Sequence, residues 1–480
     1  MLTNLDPASS LAIGLLIFAL LLVMAFEATN GFHDAANAVA TVIYTKSLGP
    51  VPAVIWSGFM NFLGVLIGGI TVAYALVELL PAEVLSPPSG APAVGMLVAL
   101  FVAALFWNIG TWWFGLPNSS SHCLIGALIG VALGDALIHD RSFGNGVHWA
   151  QLRTVLEALA LSPLLGAVLS GLLYLALRRF AHDKNLYKPA GEEPPVWWMR
   201  GILILTCTGV SFAHGTNDGQ KSIGLIMLTI IGLFPALFAL NPMAVQSLNG
   251  LQKTVQQAVP LIEKYGDDQK ATALEAAKRL ESSPVPTPQP VSFIGFPTIA
   301  HATDGELGLR SDDAKQRSNV RDDVYWLISQ LKHVEEAGGV SEDDKKAAKS
   351  LGRQLGDTVE YAPWWVRILS ALCLGIGTMI GYQRIVTTLG QRLGNVHLTP
   401  AQGASAELVS SVLIGISGFT GLPVSTTHIV TSGIAGTMVS SGAGLRYGML
   451  SRIAIAWLVT LPVTILIAGG LYYLLDSPSF

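Results

Sequence analysis

Two polar strings each occur twice in this chain. Gly31-Phe-His33-Asp34-Ala-Ala-Asn37-Ala38 has a counterpart in Gly215-Thr-Asn217-Asp218-Gly-Gln220-Lys221-Ser222. Each copy holds a carboxylate and an amide, with a histidine at hand (His33, His214). Gly115-Leu-Pro117-Asn-Ser119-Ser120-Ser121-His122 is answered by Gly421-Leu-Pro423-Val-Ser425-Thr426-Thr427-His428. Chance supplies one such string in an apolar chain, hardly two, so the pairs read as an internal duplication.

The residue types suggest ion chemistry. Proline removes a donor and disfavours helix just before it, so Gly-Leu-Pro should end one helix. The hydroxyls that follow should cap the next, whose free N–H groups and positive dipole end suit an anion. Two such starts, Ser119, Ser120 and Ser121 against Ser425, Thr426 and Thr427, can face one small oxyanion without the desolvation cost of an intramembrane arginine. Asp34, Asn37, Asn217, Asp218 and Gln220 add oxygen ligands at what read as helix breaks. A carboxylate inside a membrane needs a counter-charge. A sodium ion, a proton, a divalent cation or Lys221 can serve, and Lys221 can equally pair with the anion. Free histidine titrates near neutrality, so His33 and His214 suit proton coupling. His122 and His428 either brace the turns or touch the substrate. Glu27 reads equally as a structural partner and as a cation ligand. The copies are unequal, with His33 opposite Asn217 and Asn37 opposite Lys221.

The elements that must position these residues are membrane helices. Of 480 residues, 51% are hydrophobic and 12% charged, against about 25% charged in a soluble chain. Apolar stretches run over roughly 10–26, 51–77, 93–117, 120–134, 154–177, 201–213, 222–240, 364–382, 408–440 and 453–475. The longer ones reach the ~20 residues that span a bilayer. This predicts an all-α membrane protein of about 10–12 transmembrane helices. Fifty glycines fit close helix packing. Cys123, Cys207 and Cys373 lie in apolar segments with no metal-ligand spacing, and no dedicated metal site is expected. The first stretch lacks a basic n-region and reads as a retained span.

Composition divides the chain into a first membrane repeat (1–177), a basic linker (178–200), the start of a second repeat (201–240), a hydrophilic insert (241–361) and the remainder of the second repeat (362–480). The insert shows helical patterning over 244–282 and 312–356, around a Pro-rich patch at 284–297. Lys46 and the basic linker place 45–50 and 178–200 in the cytoplasm, with the N-terminus and 80–93 outside. The motif copies are then entered from opposite faces. Two inverted-topology repeats follow, with broken or re-entrant helices at the centre. The insert lies outside if 201–240 crosses once.

The motif pairs resemble the inorganic phosphate transporter (PiT) family. Its signature Gly-Ala-Asn-Asp-x-Ala-Asn-Ala is approximated by Gly31 to Ala38, with Phe32 and His33 departing from it. His214 to Ser222 looks like the bacterial version, and Leu374 to Arg384 and Pro423 to His428 fit as well. The resemblance covers about 10–240 and 360–475 and says little of the insert. It implies a multi-pass protein of the cell inner membrane and secondary phosphate symport by alternating access, with the motif residues forming the site. His33 is similar to the low-affinity bacterial branch, which implies protons as the coupling cation, with sodium as the alternative. It also implies a divalent cation carried with phosphate. Implied partners are phosphate, the cation and the lipid bilayer, with a homodimer compatible and nucleic acid not expected. Neither an enzyme nor an organic cofactor is expected. Competing readings are transport of another oxyanion such as sulfate, a passive anion channel, and an intramembrane hydrolase using Ser119, Ser120 or Ser121 with His122. The last is opposed by the duplication and by the lack of a Gly-x-Ser-x-Gly elbow.

Overall fold

Long apolar runs satisfy their backbone polar groups internally, and helix is the local way to do so in lipid. The computed structural model describes residues 10–77, 94–139, 149–189, 191, 194–233, 238–267, 269–286 and 311–476, and it has no strand among them. The helices are α1 (Ser10–Tyr44), α2 (Pro50–Ile67), α3 (Thr71–Val77), α4 (Val94–Trp113), α5 (Ser120–Ile138), α6 (Trp149–Phe180), α7 (Trp197–Leu233), α8 (Val245–Asn249), α9 (Leu251–Tyr265), α10 (Lys270–Ser282), α11 (Ser311–Glu336), α12 (Glu342–Val359), α13 (Trp364–Met379), α14 (Gln383–Thr387), α15 (Pro400–Thr420), α16 (Thr426–Ser441) and α17 (Tyr447–Asp476). They form two units. Of the described residues, 18–77, 94–226 and 366–476 belong to one unit, and 10–17, 227–233 and 238–365 to the other.

The first unit is a bundle of apolar helices. Among the described residues, six helices are long and apolar enough to cross a membrane by length and composition: Pro50–Ile67, Gly95–Trp113, Ser120–Ile138, Leu152–Phe180, Pro400–Thr420 and Tyr447–Leu475. α1 and α7 are longer than any of these, at 35 and 37 residues, and carry the polar strings in mid-helix. The chain is a multi-pass membrane protein.

The duplication is visible in the helix order. α1, then α2 and α3 across Gly68-Gly69, then α4, α5 and α6, recur as α7, then α13 and α14 across Gly381, then α15, α16 and α17. The halves exchange partners. α5 packs on α17 and α16 packs on α6. The contacts match as well. A Cβ on Gly130 of α5 would sit 2.4 Å from Ile465 O of α17, and one on Gly436 of α16 would sit 2.1 Å from Ala167 O of α6. α6 and α17 each hold one interior proline, Pro163 and Pro462.

The direction of the repeat is fixed by contacts between its two equivalent long helices. Ser222 of α7 donates to Glu27 of α1. His214 Nε2 lies 3.1 Å from Asp34 Oδ2. Thr206 of α7 and Thr41 of α1 both lie beside Glu407. Residue numbers rise along α1 as they fall along α7, so these equivalent helices run antiparallel. That is an inverted repeat.

One expectation is corrected. The strings around Asp34 and Asp218 do not break their helices; α1 and α7 run through them. The physical reason is that these carboxylates find donors elsewhere and do not compete for their own backbone. The glycines there serve close packing instead. A Cβ on Gly31 would meet Leu374 O at 2.6 Å, and one on Gly215 would meet Asn61 O at 2.3 Å. The central breaks lie at the Gly-Leu-Pro strings. Gly115 and Gly421 take φ of 66° and 78°, the left-handed conformation that lets glycine end a helix. A continuous α7 also shows no re-entrant hairpin within 201–233.

The second unit contains α8–α12. Its own apolar core includes Leu251, Val255, Ile262, Leu280, Leu327 and Leu355. Amphipathic spacing buries one face of each helix, and charge covers the others. Ser341 caps α12, whose first turn is acidic and so suits the helix dipole. Arg279 of α10 holds Asp323 of α11 through its Nη2 at 2.6 Å and its Nε at 3.1 and 3.2 Å. From residue 287 onward, the Pro-rich patch lies outside the described residues. By position, the insert replaces in the second repeat the short turn between α1 and α2.

Candidate functional site

The two Gly-Leu-Pro strings set up the site. Each ends a helix with its glycine, and the first serine of the hydroxyl run then caps the next helix. Ser119 Oγ accepts from His122 N at 3.2 Å, and Ser425 Oγ from His428 N at the same distance. These two hydroxyls are engaged as caps. The helix starts abut one another: Ser121 Oγ donates to Val424 O at 2.9 Å, and the His122 and His428 rings are 4.5 Å apart. His122 Nδ1 also lies 2.8 Å from Ser119 Oγ, and His428 stacks on Trp457 at 3.8 Å, so both histidines brace the turns.

The carboxylates of α1 and α7 meet these helix starts in a crossed pattern. On α1, Asn37 Nδ2 donates to Asp34 Oδ1 at 2.6 Å and to Thr427 Oγ1 of α16 at 3.2 Å. On α7, Lys221 Nζ donates to Asp218 Oδ1 at 2.5 Å and to Ser121 Oγ of α5 at 2.6 Å. The arrangements are equivalent, with a lysine ammonium in place of an asparagine amide. Thr427 also donates to Asp34, and Thr426 Oγ1 bridges Asp34 Oδ2 at 2.9 Å and Asp218 Oδ2 at 3.5 Å. Lys221 completes its three donors on Val424 O at 3.3 Å.

His214 closes the cluster. Its Nε2 lies 3.1 Å from Asp34 Oδ2 and 3.3 Å from Asp218 Oδ2, and its Nδ1 2.8 Å from Asn61 Oδ1. The Asn61 amide is oriented by its Nδ2, which donates to Thr378 Oγ1 at 3.0 Å. Both ring nitrogens thus face acceptors, the arrangement of an imidazolium. Two carboxylates then face an ammonium and an imidazolium, and the buried charges balance. Asp34, His214 and Asp218 offer ligand atoms within 4.8 Å of one another, a donor set that suits a small cation when the ring nitrogen is deprotonated.

Asp34, Asn37, His214, Asp218, Lys221, Ser121, Thr426 and Thr427 are therefore brought together. Ser120 is buried one residue before Ser121. Three residues expected at the site face elsewhere. His33 Nε2 lies 2.6 Å from Asn108 O of α4, Asn217 Nδ2 donates to Ser417 Oγ of α15 at 2.9 Å, and Gln220 spans α7, α3 and α15 through Thr216 O, Val72 N and Gly418 O. His33 and Asn217 are equivalent positions, and each points at the equivalent helix of its own half. Asn61, which stands outside the repeated strings, orients His214. Glu407 was not singled out, although a lone acid in an apolar span is a signal in itself.

This geometry can be set beside known proteins. The sequence pattern of the "Phosphate transporter family" matches residues 30–468. The chain belongs to the phosphate transporter family. Among relatives in this family, it is 40% identical to the low-affinity inorganic phosphate transporter PitA of Escherichia coli (strain K12), with 96% of each chain covered. It is 38% identical to PitB of the same organism, again over 96% of each. The fold is similar to a solved structure titled "The sodium-dependent phosphate transporter", with a TM-score of 0.60 and 17% identity over 96% of this chain and 99% of that one. Membership of this family makes the chain a transporter rather than an enzyme.

Proposed function

We propose that this protein is a secondary active symporter that imports inorganic phosphate with protons across the cell inner membrane by alternating access. One observation carries the reading: two hydroxyl-rich helix starts from inverted repeats converge on a charge-balanced cluster of Asp34, Asp218, His214 and Lys221. Helix starts supply N–H donors and hydroxyls to an oxyanion, and Lys221 adds a point charge that the Asp218 pair holds in place. Ser120, Ser121, Thr426 and Thr427 are the hydroxyls we assign to phosphate. The names of the relatives support phosphate over sulfate as the anion.

The charge balance supports symport. An anion added to a neutral cluster inside a membrane is costly unless positive charge enters with it. A proton on the anion or on a carboxylate supplies that charge. A divalent cation on the Asp34–His214–Asp218 donor set supplies it as a metal–phosphate complex. Sodium on the same oxygens is the alternative coupling ion.

The test is uptake of labelled phosphate into proteoliposomes with an imposed proton or sodium gradient, with and without magnesium. The expected result is accumulation above equilibrium with the proton gradient. Accumulation with sodium alone would replace the coupling ion, and linear, non-saturating flux indifferent to either gradient would replace symport with a channel.

A further inference from the structure

Among the described residues, two glutamates are buried, Glu27 and Glu407, and neither belongs to the central cluster. Glu27 is on α1, two turns before Asp34. Its Oε2 accepts from Ser222 of α7 and from Asn30 Nδ2 at 3.4 Å, and its Oε1 has no hydrogen-bond partner. Glu407 is on α15, and Thr41 of α1, two turns after Asp34, lies beside it. Its Oε2 meets Thr206 Oγ1 of α7 at 2.6 Å, while its Oε1 and the neighbouring Ser410 Oγ have no partner. Two turns of helix span about 10 Å. The carboxyls therefore lie on opposite sides of the central cluster along the antiparallel α1–α7 pair.

Among the described residues neither glutamate forms an ion pair, in contrast to Asp218 with its lysine, and the His214 imidazolium acts on Glu27 only together with the opposing Asp218 carboxylate. The titratable groups whose charge acts on Glu27 are Asp218 and His214 of α7 and Cys373 of α13; for Glu407 it is Cys207 of α7. The Thr206 contact at Glu407 fits a neutral acid, and the Thr41 hydroxyl is one that either form can accept. Thr206 has one hydroxyl hydrogen but two neighbours, Leu203 O at 3.0 Å and Glu407 Oε2 at 2.6 Å. A protonated Glu407 donating to Thr206, which in turn donates to Leu203 O, satisfies both contacts. Buried acids that hold a proton in the membrane and release it when water arrives are the usual material of proton relays.

We infer that Glu27 and Glu407 are the proton-carrying groups of the coupling cycle, one on each side of the phosphate site. The glutamate on the side where phosphate enters takes a proton from water there and passes it through the closed site to the other glutamate. That one gives it up to water on the exit side, so each O–H bond made is matched by one broken and one proton crosses per cycle. No other bond changes. The inference rests on the proton reading of the proposed function. It assigns coupling to residues that do not touch phosphate, so coupling and phosphate handling are separable.

The test uses Glu27→Gln and Glu407→Gln in the full chain reconstituted in proteoliposomes, with two readouts. Exchange of labelled for unlabelled phosphate at equal pH reports the phosphate site and the folded state. Accumulation driven by an imposed proton gradient reports coupling. The expected result for each variant is exchange within about twofold of wild type and accumulation reduced at least about tenfold, with Glu27→Asp and Glu407→Asp recovering part of it. Accumulation that survives in either variant overturns the assignment of that residue. Loss of exchange along with accumulation also overturns it, since the glutamate is then part of the phosphate site or its scaffold. Wild-type protein that exchanges phosphate but never responds to the proton gradient removes the proton reading itself, and this inference with it.

Discussion

Asp34→Asn should abolish phosphate uptake while leaving the protein in the membrane at wild-type level, and Asp218→Asn should do the same. Asp34 is the most heavily engaged group of the cluster. Its two oxygens take Asn37 at 2.6 Å, Thr426 at 2.9 Å, His214 at 3.1 Å and the Thr427 hydroxyl. An asparagine has the same shape, so packing survives. It places an N–H₂ where one acceptor stood, among groups that are themselves donors, and it removes a negative charge opposite the His214 imidazole. Hydrogen bonds to charged groups are worth about 1.5–3 kcal/mol each. Losing even two of them predicts a fall in uptake of more than about a hundredfold. Labelled phosphate uptake, normalised to protein in the membrane fraction, checks this. Normal uptake in both variants would remove the carboxylates from the mechanism.

Lys221→Met should be the most destabilising single change in the cluster. The ammonium is buried and its three donors are placed on Asp218, Ser121 and Val424 O. These contacts tie α7 to the start of α5 and to the turn before α16, across the two halves. Removing the ammonium leaves Asp218 charged without its closest partner, and breaking a buried pair in this way costs about 3–5 kcal/mol. The double variant Lys221→Met with Asp218→Asn leaves no orphaned charge. It should recover most of the lost thermal stability in detergent and none of the transport. A single variant as stable as wild type would mean that another group carries the counter-charge. Transport recovered in the double variant would mean that Lys221 is structural only.

The sequence made the duplication legible, because a hydroxyl run after Gly-Leu-Pro has one local physical solution, a helix end followed by a capped helix start. Ser119 and Ser425 behave accordingly. The paired Asp34 and Asp218 were also legible, since a carboxylate in an apolar span has to be answered. Whether their strings break the helix was not legible, because that depends on where the carboxylate finds its donors. Those donors, Thr426 and Thr427, are almost 400 residues from Asp34 in the chain. For the same reason, sequence could not tell His33 from His214. Both stand within about one helical turn of a motif aspartate, yet His33 faces the Asn108 carbonyl and His214 faces two carboxylates. The difference lies in which helix each face of α1 and α7 meets. Glu407 and Asn61 were missed because neither stands in a repeated string, and each acquires its role only through a residue of α7.

The central claim is that the two halves build one phosphate site between them. Its most direct test is the number of phosphate ions bound per chain by purified protein at equilibrium, compared with the Ser121→Ala and Thr427→Val variants. The structure places these two hydroxyls at equivalent positions in opposite halves, each on the motif residue of the other half. The account predicts one phosphate per chain, with affinity weakened at least about tenfold by either substitution, since each removes a hydrogen bond within the same site. Two phosphates per chain, each sensitive to only one of the substitutions, would mean that the halves hold separate sites and would contradict it.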